Sequence, residues 1–184
     1  MKTTILASVL VASALLVGCG GGDSDTPSVE THPYDAPPIS EAEKNSYLNA
    51  VNGARSVGRT CGQHGYFDPA PALSWNDALY KSSYEHSEDM EMSNNYSHTG
   101  SGTASDWTAV IMELGRGSNS QERAANNGFS GGGAENIAKG RPSTANVMGA
   151  WLASDGHCSA IMNSSHTQFG MAKVGAYHTQ SFGF

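Results

Sequence analysis

The sequence predicts a single α+β domain, on three observations. Segments with helical caps and helical spacing of apolar residues fill the middle of the chain. Short extended segments gather towards its end, the last two close enough to pair as a hairpin. Gly- and Pro-rich breaks separate the two kinds of segment, and no internal repeat is evident. About four helices around a small, mostly antiparallel sheet follow from this pattern.

Ser40 and Glu43 have the spacing of a capping box and open the first helix. Leu48, Val51 and Val57 lie at intervals compatible with one helical face, and Gly58 suits the stop. Thr60 to Pro71 reads as a loop by composition and carries Cys61. Ser74 or Asn76 can cap the clearest helix, with Asp77 at the positive end of its dipole. Leu79, Ser83, His86 and Met90 fall on one face of it. A third helix is expected from Ser105 or Asp106 to Leu114, with Trp107, Ile111 and Leu114 inward, and a short one from Ser120 to Asn126. Ser143 to Ala153 forms the last, burying Val147, Trp151 and Leu152, and Asp155-Gly156 reads as its C-terminal turn. The extended segments are Glu135 to Ala138, Phe169 to Val174 and Tyr177 to Phe182, the last two turning at Gly175.

The N-terminus sets the compartment. Lys2 precedes an apolar run, Ile5 to Val17, too short for a membrane span. Its end, Leu16-Val17-Gly18-Cys19, resembles the lipobox of a bacterial lipoprotein signal, which implies lipidation of Cys19 and cleavage before it. An ordinary cleaved signal or a short anchor helix are the alternatives. On the lipoprotein reading residues 1–18 are the signal and 19–38 are the lipidated Cys and a flexible Gly/Pro-rich tether. The tether would reach on the order of 25 Å, at about 5–6 Å × √n. Residues 39–184 are then the folded domain, long enough for a real core. The protein is expected outside the cytoplasm, membrane-anchored through Cys19, on the periplasmic face of an outer membrane or at the cell surface. Gly20 after the lipidated Cys is compatible with outer-membrane sorting in a Gram-negative envelope.

Net charge is −7 and the basic residues are scattered, which argues against nucleic acid as a partner. A monomer is expected. Lipidation of Cys19 leaves Cys61 and Cys158, read as one disulfide in an oxidising compartment, against the alternative of two free buried thiols.

Several motifs in order then resemble the CAP superfamily, the sperm-coating-protein and pathogenesis-related family 1 domains, in its bacterial branch. They are Leu48 to Arg55, Leu73-Ser74-Trp75-Asn76, His86 to Met90, and Tyr96-Ser97-His98-Thr99-Gly100. Ala134-Glu135-Asn136-Ile137-Ala138 follows, with Ala134 where the family has Gly. Trp151 through Gly156-His157-Cys158 and Ile161-Met162-Asn163, then the closing strands, complete the series. The resemblance implies a three-layer α-β-α sandwich with a cavity gathering His and Glu. His98 and Glu135 carry over by motif, with His157 as the second histidine. The family's second Glu falls at Ser154, and His86 joins the cluster from the inner face of its helix.

Two imidazoles and a carboxylate suit zinc or another divalent metal, on His98, His157 and Glu135, though none is required. The same groups are general acid–base candidates. Alternatively His86 and Glu135 are buried, hydrogen-bonded groups that hold the layers in register. Ser154-Asp155-Gly156-His157 contains the residue types of a catalytic triad, but adjacent positions in one turn rarely converge as a triad must. No catalytic residue is assigned. His166 and His178, near the closing strands, are read as exposed or edge residues, with a place in the cavity as the alternative for His166. The sequence therefore predicts an interaction module holding a small apolar ligand, a metal ion, or an envelope or protein partner. A metal- or His-assisted hydrolase of peptide or envelope polymer is the alternative.

Overall fold

The computed structural model describes residues 34–184; the signal, Cys19 and most of the tether lie outside the described residues. Among the described residues the order is α1 (Glu41–Arg55), β1 (Arg59–Thr60), a 3-10 turn (Gly62–His64), β2 (Tyr66–Phe67), β3 (Ser74–Trp75) and α2 (Asp77–Ser93). There follow α3 (Trp107–Ile111), α4 (Ser120–Asn126), β4 (Gly133–Lys139), α5 (Thr144–Leu152), α6 (Asp155–Met162), β5 (Gln168–Val174) and β6 (Tyr177–Gly183).

Four strands form the central sheet in the order β3-β5-β6-β4. β5 and β6 are the expected hairpin, β4 pairs antiparallel to β6, and the two-residue β3 runs parallel to β5. β4 is thus an edge strand. Cross-strand partners share a face, so Glu135 and Ile137 lie on the side of Ser181 and Thr179, while Asn136 and Ala138 lie with Gln180 and His178.

α2 covers the first face. Its small residues let it lie close: Ser83 Oγ bonds Ser181 Oγ and Ser87 Oγ bonds Thr179 Oγ1, both at 2.9 Å. Gly170 completes the approach, since a Cβ there would collide with the backbone of Leu79 and Tyr80. α1, α5 and α6 cover the other face with the main core, where Val51, Val147, Trp151 and Ile161 pack on Phe169, Met171 and Phe182. The three layers and the α+β class are as expected. Burying these side chains contributes about 1.5–3 kcal/mol each, the main source of stability.

Cys61 and Cys158 form a disulfide across 97 residues, tying the 61–65 loop to α6. Arg55 is a second tie. It is fully buried at the end of α1, and its guanidinium donates to the carbonyls of Pro71, Ile161, Asn163 and His166.

Several expectations are corrected. Six α-helices, not four, occur among the described residues; Asp155-Gly156 begins α6 instead of ending α5. α1 ends at Arg55, leaving Val57 exposed. Ser40 accepts the Glu43 N–H, but the Glu43 carboxylate takes the Tyr47 hydroxyl at 2.8 Å instead of closing the capping box. Ile111 points outward, because α3 is too short to keep a continuous inward stripe. His166 and His178 are buried: His166 stacks on Phe182, and His178, on the central strand β6, bonds the Arg141 carbonyl at 2.9 Å. Residues 34–38, read as tether, lie against α2: Asp35 pairs with Lys81 at 2.7 Å and Tyr80 donates to the Pro37 carbonyl at 2.8 Å.

Candidate functional site

Glu135 is the centre of the site. It lies near the start of β4, on the face that α2 covers, so its carboxylate is aimed into the protein. One oxygen, Oε1, is 2.9 Å from His98 Nδ1 and 3.7 Å from His86 Nε2. The other, Oε2, accepts from Arg123 Nη2 at 2.8 Å.

Each partner is delivered by a different element. His86 comes from the inner face of α2, fully buried, with Nε2 donating to the Ser97 carbonyl at 2.9 Å. His98 comes from the loop after α2, where Asn94 breaks the helix in the left-handed conformation. Its ring is 56% exposed while Glu135 is nearly closed off. Arg123 comes from α4 and is itself buried, donating also to the carbonyls of His98 and Ser118. Nearby, Glu85 accepts the Thr108 N–H at 2.6 Å and Asn127 Nδ2 at 2.9 Å.

Charge is therefore fixed in this layer. Burial alone would raise the Glu135 carboxyl, but the Arg123 guanidinium, His86 and the His98 hydrogen bond outweigh it and hold it at about 2. Burial pushes the His86 imidazole down to about 4 against the pull of Glu135, so the ring is neutral near pH 7. Its Nδ1, buried, has no hydrogen-bond partner among the described residues. Burial raises the Glu85 carboxyl, offset in part by the Thr108 and Asn127 bonds and by Arg123.

His157 lies on α6, in the opposite layer, where its carbonyl accepts from Asn136 Nδ2 at 3.3 Å beside the edge strand β4. Burial lowers its imidazole, and the neighbouring His98 ring lowers it further. Along that edge runs a groove of about 390 Å³. Tyr96, Ile137, Trp151, Ser154, His157 and the cations Lys139 and Arg141 line it. The edge itself is capped. The Ile137 carbonyl takes both the Trp151 indole N–H at 3.0 Å and the Tyr96 hydroxyl at 3.3 Å. That blocks addition of an extended strand at this point.

Of the sequence-predicted residues, His98, Glu135 and His86 come together directly and His157 stands across the groove edge. Ser154 is the residue before α6 and lines the groove. It forms no triad with its neighbours: Asp155 turns away to accept the Gln63 N–H at 3.0 Å, beside the disulfide. The arrangement as it stands does not fit a divalent cation. Both Glu135 oxygens are engaged, one by a guanidinium, and no group of three or more His, Cys, Asp or Glu among the described residues is set to hold a metal. Arg123 and Glu85 were missed by sequence reasoning. The available signal was slight, a lone Arg beside Ala124 and Ala125 in a seven-residue helix.

A three-layer α-β-α sandwich with a buried His/Glu/Arg cluster beside one edge of the sheet defines the class of domain. The chain belongs to the CAP, cysteine-rich secretory protein, family, whose profile matches residues 48–184. An uncharacterized membrane protein of Bacillus subtilis, YlbC, is 30% identical over 110 residues, which is 60% of this chain and 28% of that protein. The chain thus spans under a third of the length of that curated relative. Among solved structures, an extracellular protein containing a SCP domain from Bacillus anthracis matches with TM-score 0.56 and 19% identity. That match covers 80% of this chain and 45% of the other. An outer surface protein from Borrelia burgdorferi matches with TM-score 0.57 and 18% identity, over 80% of this chain and 95% of the other. At these identities the likeness establishes the fold. Among the described residues no helix is long and apolar enough to cross a membrane.

Proposed function

We propose that this chain is an extracytoplasmic, lipid-tethered binding module that holds a small amphiphile, apolar in body and acidic in head, in the groove along β4. The observation that carries this is the lining: Trp151, Ile137 and Tyr96 supply apolar wall, and Lys139 and Arg141 bring two cations together in a chain of net charge −7. The capped edge favours a small ligand over an extended peptide. Glu135, held ionised by Arg123, serves in this reading to fix the loop that carries Tyr96 and His98.

The test is native mass spectrometry of the mature chain isolated from an oxidising compartment, alone and with a C16 fatty acid as probe. A fatty-acid adduct that weakens about tenfold in Arg141→Glu supports the reading, at about 1.4 kcal/mol. No adduct in either protein overturns it.

One observation favours a second reading, a hydrolase. The Glu135 carboxylate bonds His98 Nδ1, which leaves the other ring nitrogen on a largely exposed imidazole as a base for a water molecule. Peptide or envelope-polymer cleavage by the native chain, lost in His98→Ala with the fold intact, would replace the binding reading by the catalytic one.

A further inference from the structure

We propose that the tip of α3, Val110-Ile111-Met112, is a membrane-contact point that dips into the lipid surface to which the tether is anchored. The proposal rests on the reading of Cys19 as lipidated. The three side chains are 41%, 47% and 45% exposed. Consecutive helical residues point about 100° apart, so three exposed in a row mean that the helix end projects from the body. Glu113, with φ 51°, then turns the chain back. Apolar side chains grouped on a projection are unlike the scattered exposed Val57, Tyr66 and Met92 elsewhere.

What covers this tip follows from where the chain enters the domain. The first described residue, Tyr34, sets its ring 6.3 Å from Trp107, the first residue of α3, and Trp107 in turn lies 6.1 Å from Tyr84 on α2. Asp35 is held to Lys81 and Pro37 to Tyr80, so the entry point is fixed on this side. Ile111 is four residues beyond Trp107, roughly 6 Å along the helix axis. Tyr34 follows Cys19 by fifteen positions. On the tether reading, that length of chain reaches roughly 20 Å, less than the diameter of a domain of this size. The side of the domain at Tyr34 is therefore the side presented to the anchor, and α3 is the apolar projection on it.

Charge supports insertion over adsorption. The chain has a net charge of −7, so an anionic surface repels it, and the nearby Arg116 is already paired with Glu122. Contact would come from apolar side chains and would persist in high salt. Tyr34, half-buried beside Trp107 and with a polar tip on an apolar body, is of the type that settles at the lipid–water boundary.

The experiment uses the mature chain purified from membranes and placed in vesicles of phosphatidylethanolamine and phosphatidylglycerol. Intact mass first reports the acyl groups on Cys19; then hydrogen exchange is followed on vesicles and in detergent-free buffer after protease release from the tether. On vesicles, amide exchange across 107–116 should slow by about fivefold or more while 57–67 is unchanged. The variant Val110→Ser/Ile111→Ser/Met112→Ser should abolish the slowing with the acylated protein still on the vesicle. An acylated protein whose 107–116 exchange is the same in both states, or slowed equally in the serine variant, overturns the contact while leaving the anchor intact. A mature chain without acyl groups overturns both the anchor and the contact that depends on it.

Discussion

Replacing Glu135 with Gln keeps the shape of the side chain and removes its charge. Arg123 is then left buried without its carboxylate partner, 2.8 Å away in the native protein. Breaking a buried ion pair from one side costs about 3–5 kcal/mol. Glu85 also acts on Arg123 and offsets part of this, which places the loss near the lower end, about 3 kcal/mol. For a domain of this size each kcal/mol shifts the melting temperature by about 2–4 °C, so a fall of about 6–12 °C is expected at pH 7. The pH dependence gives an independent figure. The carboxyl is held at about 2 against an ordinary 4.5, so its contribution is present above 4.5 and is lost as pH falls from there through about 2. At about 1.4 kcal/mol per pH unit that is again about 3 kcal/mol. His86, lowered from 6.5 to about 4, also favours the native state at high pH, and this support is lost as pH falls from 6.5 through about 4. Circular-dichroism melts of both proteins between about pH 7 and 3 read all of this. The native protein should lose stability in both windows. The Gln variant should start lower, still lose stability below 6.5, and stay nearly flat where Glu135 would have titrated. A variant melting within about 2 °C of the native protein, or falling as steeply below pH 4.5, would refute the buried pair as the organiser of this layer.

Three further outcomes follow from the packing. Cys61→Ser/Cys158→Ser opens a loop of 97 residues and should lower unfolding free energy by about 4–5 kcal/mol in the chain-entropy account, read from the urea midpoint. Gly170→Ala drives a methyl into the backbone of α2 and should cost about 3 kcal/mol or more, seen as a lower melting temperature or loss of soluble protein. Trp151→Phe removes the indole donor to the Ile137 carbonyl and should cost about 1–2 kcal/mol. It also uncaps the β4 edge, so self-association should rise in analytical ultracentrifugation; unchanged behaviour would show that Tyr96 alone protects the edge.

Much of the frame is written locally in the chain. Caps at Asn76, Asn119 and Ser143, the spacing of Leu79, His86 and Met90, and the turn at Gly175 are each set by a few neighbouring residues. The family motifs likewise located His98 and Glu135, because those residues sit in runs that can be recognised whole. The partners of those groups emerge only on folding. Arg123 stands outside every recognised run, and its hold on Glu135 depends on α4 docking beside α2. No local pattern encodes that docking. The burial of His178 follows from β6 becoming a central strand, and the groove exists because β4 became the edge. Strand order and the meeting of layers are set by the summed packing of the whole core, so residues far apart in the chain acquire their chemistry only when it closes.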